Sequence, residues 1–392
     1  MGTTLGEPIY DELTGIQIGT TEGHNSLLIL LYGVITIFLI LIVVAMYIKQ
    51  LRNAYENQQR AELGLPIEGT KQDLRQMLNK NFHVTLLAAP TIGIVVFTII
   101  PLIFMILIAF TNYDKEHLVP GNLFTWAGFD NFKSLFEFGG TTSMGLTFLR
   151  VLGWTILWAI LATITTYIGG MVLAILINKK GVRFKKVFRG FFVITIAVPQ
   201  FVSLLVMSKF LVTEGGLVNN LLSSLGWIGD KNIQWLENPH IARVMVLVIN
   251  MWIGVPYSML ITSGILMNIP EDLYESARID GAGPVTQFFK ITLPYMLFVT
   301  GPYLITQFIG NINNFNVIFL LTGGGPTSPS LVPPAGQTDL LITWLYNMTV
   351  NSGYNDYKTG SVIGILVFVV SAILSLSVYR NTSAVKNEEE FQ

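Results

Sequence analysis

Seven long apolar stretches recur along this chain, and they constrain its fold more than any other feature of the sequence. A bilayer core about 30 Å thick is crossed by about 20 apolar residues in a helix, and only helices and closed barrels satisfy their backbone hydrogen bonds in lipid. Runs without period-two alternation are helices rather than barrel strands. The sequence therefore predicts an all-α integral membrane protein with about seven transmembrane helices. The predicted spans cover residues 26–48, 85–110, 151–177, 191–211, 244–267, 291–321 and 360–379.

The composition excludes several other classes of protein. Asp, Glu, Lys and Arg make up 12% of the 392 residues, against about 25% in soluble domains, so the chain has too few charges to solvate the surface of a soluble protein. The hydrophobic content of 52% excludes an intrinsically disordered chain. The absence of cysteine excludes a disulfide scaffold and a thiolate metal site. The net charge of −1 gives no indication of nucleic-acid binding.

Basic residues are distributed unequally between the two sides of the predicted spans, and this sets the orientation. Of the 23 Lys and Arg residues, 16 fall on one side, which is cytoplasmic by the positive-inside rule. The N-terminus is then outside and the C-terminus cytoplasmic. We expect two short helices, separated at Gly64 and Pro66, in the cytoplasmic connector. The predicted division is an extracellular tail at 1–25, a first transmembrane helix at 26–48, that connector at 49–84, a transmembrane domain at 85–380 and a cytoplasmic tail at 381–392.

The predicted spans lack the side chains that ion coupling or hydrolysis would use. Lys209, near the end of the fourth span, is the one charged residue within them. Ion-coupled transporters keep an Asp, Glu or His at membrane depth, and these spans contain none. The sequence also has no GxxxxGK[ST] phosphate-binding loop and no HExxH motif. We therefore predict no catalytic residue, metal ligand or cofactor site on this chain, and uphill transport would need energy from another subunit.

Polar residues interrupt the fifth and sixth predicted spans near the middle of the membrane. Pro256 removes a backbone donor from the fifth span, and the 31-residue sixth span is long enough to be bent or partly unwound. Spans interrupted by Gly and Pro mark binding sites in transporters, although Asn and Gln also join membrane helices to one another. Uncharged amides with nearby aromatic rings suit a neutral polyhydroxylic solute, so both interpretations stay open at this point.

The loop at 270–294 separates these two spans on the predicted cytoplasmic side. Glu271 and Asp272 favour the N-terminus of a helix, and Gly281 suits a left-handed cap at its end. The pattern predicts a short amphipathic helix. Such a helix could lie on the membrane or dock in a groove of another protein.

This loop resembles the cytoplasmic signature of ABC-importer permeases. In that family Glu-x-Ala is followed at fixed spacing by Gly and then by Ile-x-Leu-Pro, and the chain departs only mildly, with Ser276 where Ala is common. The resemblance implies a type I importer permease: one N-terminal helix plus a six-helix core, with the loop helix docked on an ATPase subunit. The matching residues are Glu275, Ala277, Gly281, Ile291, Leu293 and Pro294, of which the first three would contact the ATPase.

The resemblance extends over nearly all of the chain after about residue 85. Segments 109–114 and 129–132 look like the outer loop of sugar permeases. Segments 313–326 and 334–346 resemble most closely the larger membrane subunit of maltose and maltodextrin importers. Gly310 stands where enteric members have an aromatic ring and Gln307 where they have Ser, and the 36-residue outer segment 111–146 lacks their large extracellular domain. The positions that the resemblance assigns to sugar binding are Ile253, Gly254, Tyr257, Gln307, Gly310, Asn311 and Asn314.

The function implied by this resemblance is ATP-driven import of maltose- or maltodextrin-type sugars by alternating access across the plasma or inner membrane. The implied partners are a second permease subunit or a second copy of this chain, two ATPase subunits that bind ATP and Mg²⁺, and an extracellular solute-binding protein that delivers the sugar. Three alternatives remain at this stage: a permease for another oligosaccharide, an ion-coupled secondary transporter, and a membrane enzyme or assembly scaffold.

Overall fold

The computed structural model describes residues 2, 8–10, 17–20, 23–65, 79–118, 122–138, 143–179, 181–229, 231–328, 330–350 and 353–381. The predicted cytoplasmic tail, apart from residue 381, lies outside this part of the chain, as do Pro66 and the basic residues Lys71, Arg75, Lys180 and Lys386 used in the orientation argument. The chain divides into two compact units. One contains Met1–Phe132 and Ser352–Val362, and the other contains Lys133–Asn351 and Ile363–Gln392.

The first unit contains a hairpin and three long helical segments. Strands β1 (Pro8–Tyr10) and β2 (Gln17–Thr20) pair antiparallel. Helix α1 (Ser26–Glu62) follows, and then α2 (Phe82–Ile94) and α3 (Ile100–Ile108) flank a π-helical turn at Val95–Ile99.

Helix α1 begins where the sequence predicts and ends much later. The Asn25 side chain caps its N-terminus by accepting hydrogen bonds from the backbone N–H groups of Leu27 and Leu28. The helix continues past residue 48 to Glu62 and stops before Gly64, whose φ is +68°. The prediction of a separate short helix after residue 48 is therefore wrong. No Gly or Pro interrupts 49–62, and a polar sequence without such breakers prolongs an existing helix more easily than it nucleates a new one.

The core of the first unit forms around Leu30, Ile108 and Phe124, which are buried together. The segment after α3 is held by Asn131, whose side-chain amide donates to the carbonyl oxygens of Ala109 and Thr111 at 2.8 and 2.7 Å. These bonds hold Asn131 against the chain that leaves the end of α3.

The second unit is built from helices joined by short loops. Its first helices are α5 (Met144–Asn178), α6 (Lys185–Ala197), α7 (Gln200–Phe210), α8 (Leu217–Ser224) and α9 (Pro239–Leu266), with α4 (Asp130–Leu135) at the boundary between the units. Next come α10 (Glu271–Ile279), α11 (Pro284–Gln287), a π-helical turn (Phe288–Thr292), α12 (Leu293–Ile312) and α13 (Phe315–Thr322). Strands β3 (Thr327–Ser328) and β4 (Ala335–Gly336) and helix α14 (Leu341–Val350) follow. The last described helix, α15 (Tyr357–Asn381), begins within the first unit, which includes residues up to Val362, and its remainder belongs to the second.

Helices α5 and α9 pack closely because glycines line their contact. A Cβ atom added at Gly170 would lie 2.4 Å from the Cβ of Ser258, and one at Gly254 would lie 2.6 Å from Cγ2 of Thr166. Small residues at such contacts let membrane helices approach closely, where packing rather than hydrophobicity drives association. A buried cluster of this unit contains Trp154, Trp158, Ala162, Leu204, Leu211, Val246, Ile249, Val317, Ile318, Leu321 and Leu340.

Six helical segments in the described part of the chain are long and apolar enough to cross a membrane, or seven if the bent pair α6 and α7 counts as one span. This confirms the predicted class of all-α membrane protein with about seven transmembrane helices. The segments are Ser26–Glu62, Phe82–Ile108, Met144–Asn178, Pro239–Leu266, Pro284–Thr322 and Tyr357–Ser377, with Lys185–Ala197 and Gln200–Phe210 as the bent pair.

Proline breaks one of the predicted spans but not another. The fourth span breaks at Val198 and Pro199, where α6 and α7 meet at 89°, because the residue before a proline is forced into an extended conformation. The fifth span, in contrast, is one continuous helix that contains Pro256. The predicted interruption there is absent, whereas the sixth span does break, between Ile312 and Phe315.

Candidate functional site

Three of the predicted sugar-binding residues lie together on α9. Ile253, Gly254 and Tyr257 line a cavity of about 310 Å³ between α9 and the bend that joins α6 to α7. The side chain of Tyr257 is 49% exposed, and its ring lies 6.4 Å from that of Tyr303 on α12. The cavity therefore presents an aromatic ring and an uncharged surface.

Gly254 has a packing role that the sequence does not reveal. Its backbone lies against Thr166 of α5, and any side chain there would displace Thr166. Asn250, one turn earlier, donates a long hydrogen bond of 3.5 Å to the Thr166 hydroxyl. This part of α9 thus joins helices as well as lining the cavity.

Asn311 and Asn314 meet at the break between α12 and α13. The amide nitrogen of Asn314 donates to the side-chain oxygen of Asn311 at 3.3 Å, and the Asn314 oxygen caps α13 by accepting from the backbone of Val317. The amide nitrogen of the buried Asn311 donates to the Thr163 hydroxyl at 3.0 Å, and the Trp158 indole donates to its carbonyl oxygen at 3.1 Å. In this conformation both amides are used to join helices.

Gln307 and Gly310 lie apart from the α9 residues. Gly310 is exposed, and a Cβ atom there would meet no atom within 4 Å. Neither residue, nor Asn311 or Asn314, lines the cavity at the bend. The structure therefore gathers the predicted site into two groups, one on α9 and one on α12 and α13, rather than into one pocket.

Sequence reasoning missed the residues that form the other wall of the cavity. Thr195, Gln200 and Ser203 come from the two sides of the bend, and Trp252 comes from α9. The available signal was Pro199, which interrupts the fourth predicted span just as Pro256 interrupts the fifth.

The loop between α9 and α12 forms the helix that the sequence predicts. Helix α10 ends in a Schellman motif, in which the N–H of Ala282 donates to the carbonyl of Ala277 at 2.8 Å and Gly281 takes a φ of +79°. The Glu275 side chain is exposed and makes no hydrogen bond or ion pair within the described part of the chain. Ala277 is half-buried. The contacts of these three residues with an ATPase remain a prediction.

Helix α10 is fastened to the start of α12 by one side-chain bond. The Tyr274 hydroxyl lies 2.9 Å from the Thr292 hydroxyl. Thr292 ends the π-helical turn that precedes Pro294, where the missing N–H of proline breaks the regular helical register. This bond joins α10 to the helical segment that continues into α12, the helix that carries Asn311.

A second polar cluster lies where the 323–340 loop meets the N-terminal ends of α5 and α9. The Arg243 guanidinium stacks 4.4 Å from the ring centre of Trp154 and donates to the Gln337 carbonyl at 2.7 Å. Asp339 is 3% exposed, and burial raises the pKa of its carboxyl group to about 6, although hydrogen bonds from Gly336, Thr343 and Asn347 act in the opposite direction. This cluster fixes the loop rather than lining the cavity at the bend.

The first unit has a polar cluster of its own. The Lys358 ammonium lies 2.5 Å from the Asp114 carboxylate, whose other oxygen lies 2.8 Å from the His117 ring. Burial raises the pKa of Asp114, but the bonds from Lys358 and His117 outweigh it and leave the pKa below its ordinary value. Across the described residues, no group of three His, Asp or Glu side chains is placed to hold a metal ion.

Comparison with known proteins places the chain in a family. Residues 167–384 match the family described as binding-protein-dependent transport system inner membrane component. The chain belongs to this family, which confirms the resemblance in the sequence.

Several relatives are similar over most of this chain. The galactooligosaccharides transport system permease protein GanP of Bacillus subtilis is 33% identical over 93% of this chain and 85% of its own length. The maltodextrin transport system permease protein MdxF of the same organism is 33% identical over 96% of this chain and 87% of its own. The maltose/maltodextrin transport system permease protein MalF of Escherichia coli is 37% identical over 68% of this chain and 50% of its own length. All three names describe transport system permease proteins.

A solved structure shares the fold. A chain of a bacterial ABC transporter involved in the import of alginate superposes with a TM-score of 0.63 at 22% identity, covering 80% of this chain and 98% of that one. The family match, the permease relatives and the six or seven membrane-spanning segments of its described part together identify this chain as a multi-pass ABC-importer permease.

Proposed function

We propose that this chain is the membrane-spanning permease subunit of an ATP-driven importer for maltodextrin-type oligosaccharides. It acts with a second permease subunit or a second copy of itself, two ATPase subunits and an extracellular binding protein. The N-terminus is outside and the C-terminus cytoplasmic, in accord with the asymmetry of basic residues.

The observation that carries this proposal is the exposed, rigidly capped helix α10. An exposed helix with an unpaired Glu275 carboxylate and a Schellman cap is a ready docking element for a partner groove. The Tyr274–Thr292 bond connects that element to α12 and, through α12, to the polar break at mid-membrane. Movement of a partner ATPase can thus reach the sugar site without chemistry on this chain.

Transport proceeds by alternating access. ATP binding closes the two ATPase subunits and pulls α10, the spans open outward, and the binding protein releases sugar to the mid-membrane residues. Hydrolysis then resets the spans inward. ATP drives this cycle only through its different affinity for the two states of the complex.

The sugar site consists of Ile253, Gly254, Tyr257, Gln307, Gly310, Asn311 and Asn314. In the present conformation these residues form two groups, so closure of the site requires the polar break at Asn311 and Asn314 to move toward Tyr257 in another state. Uncharged amides and an aromatic ring suit neutral sugars better than an acidic sugar, which would require a basic group nearby. No Lys or Arg lies among these residues.

A galactooligosaccharide is the second candidate substrate. GanP and MdxF are equally similar to this chain, at 33% identity each, although their names specify different sugars. Both sugars are neutral and offer the same hydrogen-bonding groups, so the choice depends on the shape of the site.

The test is uptake by the complete complex, purified through a tag on this chain and reconstituted in proteoliposomes with internal ATP and the external binding protein. We expect uptake of maltotriose to exceed that of galactotriose and of an alginate trisaccharide. A preference for galactotriose would replace the first candidate with the second, and uptake of none of these sugars would contradict the proposed substrate class.

A further inference from the structure

The bend between α6 and α7 forms one wall of an uncharged cavity whose opposite wall is α9. Thr195, Gln200 and Ser203 face Gly254 and Tyr257 across this space of about 310 Å³. That volume is within the range of about 300–1,000 Å³ typical of small-molecule sites. None of the residues that line it is charged.

The polar groups at this bend have hydrogen-bonding capacity that the protein does not use. The hydroxyl groups of Ser203 and Tyr257 have no hydrogen-bond partner among the described residues. The Gln200 side-chain oxygen accepts one long bond of 3.5 Å from Asn316, which leaves both amide hydrogens of Gln200 free to donate. Gln200 and Ser203 are partly buried, and buried polar groups normally have a hydrogen-bond partner, so a ligand or water is expected to satisfy them.

This cavity differs from the break between α12 and α13, where the amides are already occupied. Asn311 is hydrogen-bonded to Thr163 and to Asn314, whereas Gln200 and Ser203 are available. The rings of Tyr257 and Trp252 also line the cavity and add apolar faces beside these polar groups. Free neutral donors beside aromatic rings match a solute that carries hydroxyl groups around apolar ring faces.

We propose that Gln200 and Ser203 contact the transported sugar, so that the bend of the fourth span is a specificity-determining wall of the sugar site. This inference rests on the proposed function. Ser203 donates to a sugar hydroxyl, Gln200 donates through its amide, and Tyr257 packs against a ring face from the opposite side.

The absence of cysteine from the chain allows a direct test of occupancy. The Ser203→Cys variant places a single thiol in the cavity, and alkylation of its peptide by N-ethylmaleimide is followed by mass spectrometry on the complete purified complex. The matched control is Ser208→Cys on the same helix, where the native hydroxyl donates to the Leu205 carbonyl and does not line the cavity. We expect maltotriose to slow alkylation at position 203 several-fold and to leave position 208 unchanged, with mannitol as the osmotic control.

The inference would be overturned if the Ser203→Cys variant still imports maltotriose but its thiol reacts at the same rate with and without maltotriose. The proposed function would then stay intact. A thiol that does not react at all would contradict the open cavity. Failure of the unmodified complex to import any sugar tested would instead contradict the proposed function.

Uptake by side-chain truncations gives an independent measurement. Loss of one neutral hydrogen bond corresponds to a factor of about 3 to 10, so we expect Ser203→Ala and Gln200→Ala each to lower maltotriose uptake relative to other sugars by that factor. Ser208→Ala should have no effect. Asn316→Ala removes the protein partner of Gln200, and an equal loss in that variant would show that Gln200 acts through its bond to Asn316 and not by contact with the sugar, which would overturn the inference for Gln200.

Discussion

At the scale of single residues, one buried carboxyl group, that of Asp339, holds a loop in place. Asp339 accepts hydrogen bonds from the Gly336 backbone at 2.7 Å and from the Thr343 hydroxyl at 2.8 Å. A Cβ atom at Gly324 would overlap its carboxylate. One carboxyl group thereby holds together the two ends of the 323–340 loop and the start of α14.

The raised pKa of Asp339 predicts a specific dependence of stability on pH. Its pKa is about 6 in the folded chain, above the value of about 4 for an unperturbed Asp. The folded state therefore binds this proton more tightly, so its stabilising effect is complete below about pH 4 and is lost as the pH rises through 6. The free energy of unfolding should fall by on the order of 2–3 kcal/mol across this pH range.

The measurement is the melting temperature of the purified complex between pH 4.5 and 7.5. Relative to Asp339→Asn, the unmodified chain should lose stability as the pH increases. Melting curves that shift in parallel for the two proteins would show that Asp339 does not titrate in this range.

At the scale of elements, the contact between α5 and α9 is set by glycine. Substitution of Gly170 by Ala would place Cβ 2.4 Å from Ser258, and the helices would have to separate, at a cost of about 1–3 kcal/mol. Gly153→Ala on the same helix is the matched control, because a Cβ atom there meets nothing within 4 Å. We expect thermal unfolding to show a lower melting temperature for Gly170→Ala and an unchanged or higher one for Gly153→Ala, since Ala favours helix. Equal melting temperatures would contradict the close packing.

The link between α10 and α12 predicts a change in coupling rather than in folding. Tyr274→Phe removes the bond to Thr292, worth about 1 kcal/mol, and should raise the number of ATP molecules hydrolysed per sugar imported. Tyr295→Phe is the control, because the Tyr295 hydroxyl has no hydrogen-bond partner among the described residues. The same ratio of hydrolysis to uptake in both variants would show that the bond does not transmit motion.

The elements also show what local sequence signals can predict. Long apolar runs and a glycine after an amphipathic stretch are local features, so the spans and the Gly281 cap follow from sequence. Pro199 and Pro256 look equivalent, yet Val198 turns extended before Pro199 whereas Pro256 stays within a continuous helix. Pro256 is buried, and contact with α5 can compensate for its lost hydrogen bond.

At the scale of the whole molecule, the sequence predicted the class of protein better than the detail of its site. The matches to the signature at 275–294 were sufficient to predict the permease family, which comparison confirms. Two features of the site do not follow from the sequence alone. One is the separation of the candidate sugar residues into two groups, and the other is the cavity wall that contains Gln200 and Ser203. They depend on how α9 lies against the bend, which is a tertiary feature.

The central claim is that this chain moves sugar only with energy supplied by a partner ATPase through α10. The most direct measurement is maltotriose uptake by proteoliposomes of the tagged complex, with ATP or a non-hydrolysable analogue inside, compared with proteoliposomes of this chain alone. We predict concentrative uptake only for the complex with ATP. A protonophore should leave this uptake unchanged, and the Glu275→Ala variant should lose it. Concentrative uptake by the isolated chain, without ATP, would contradict the account.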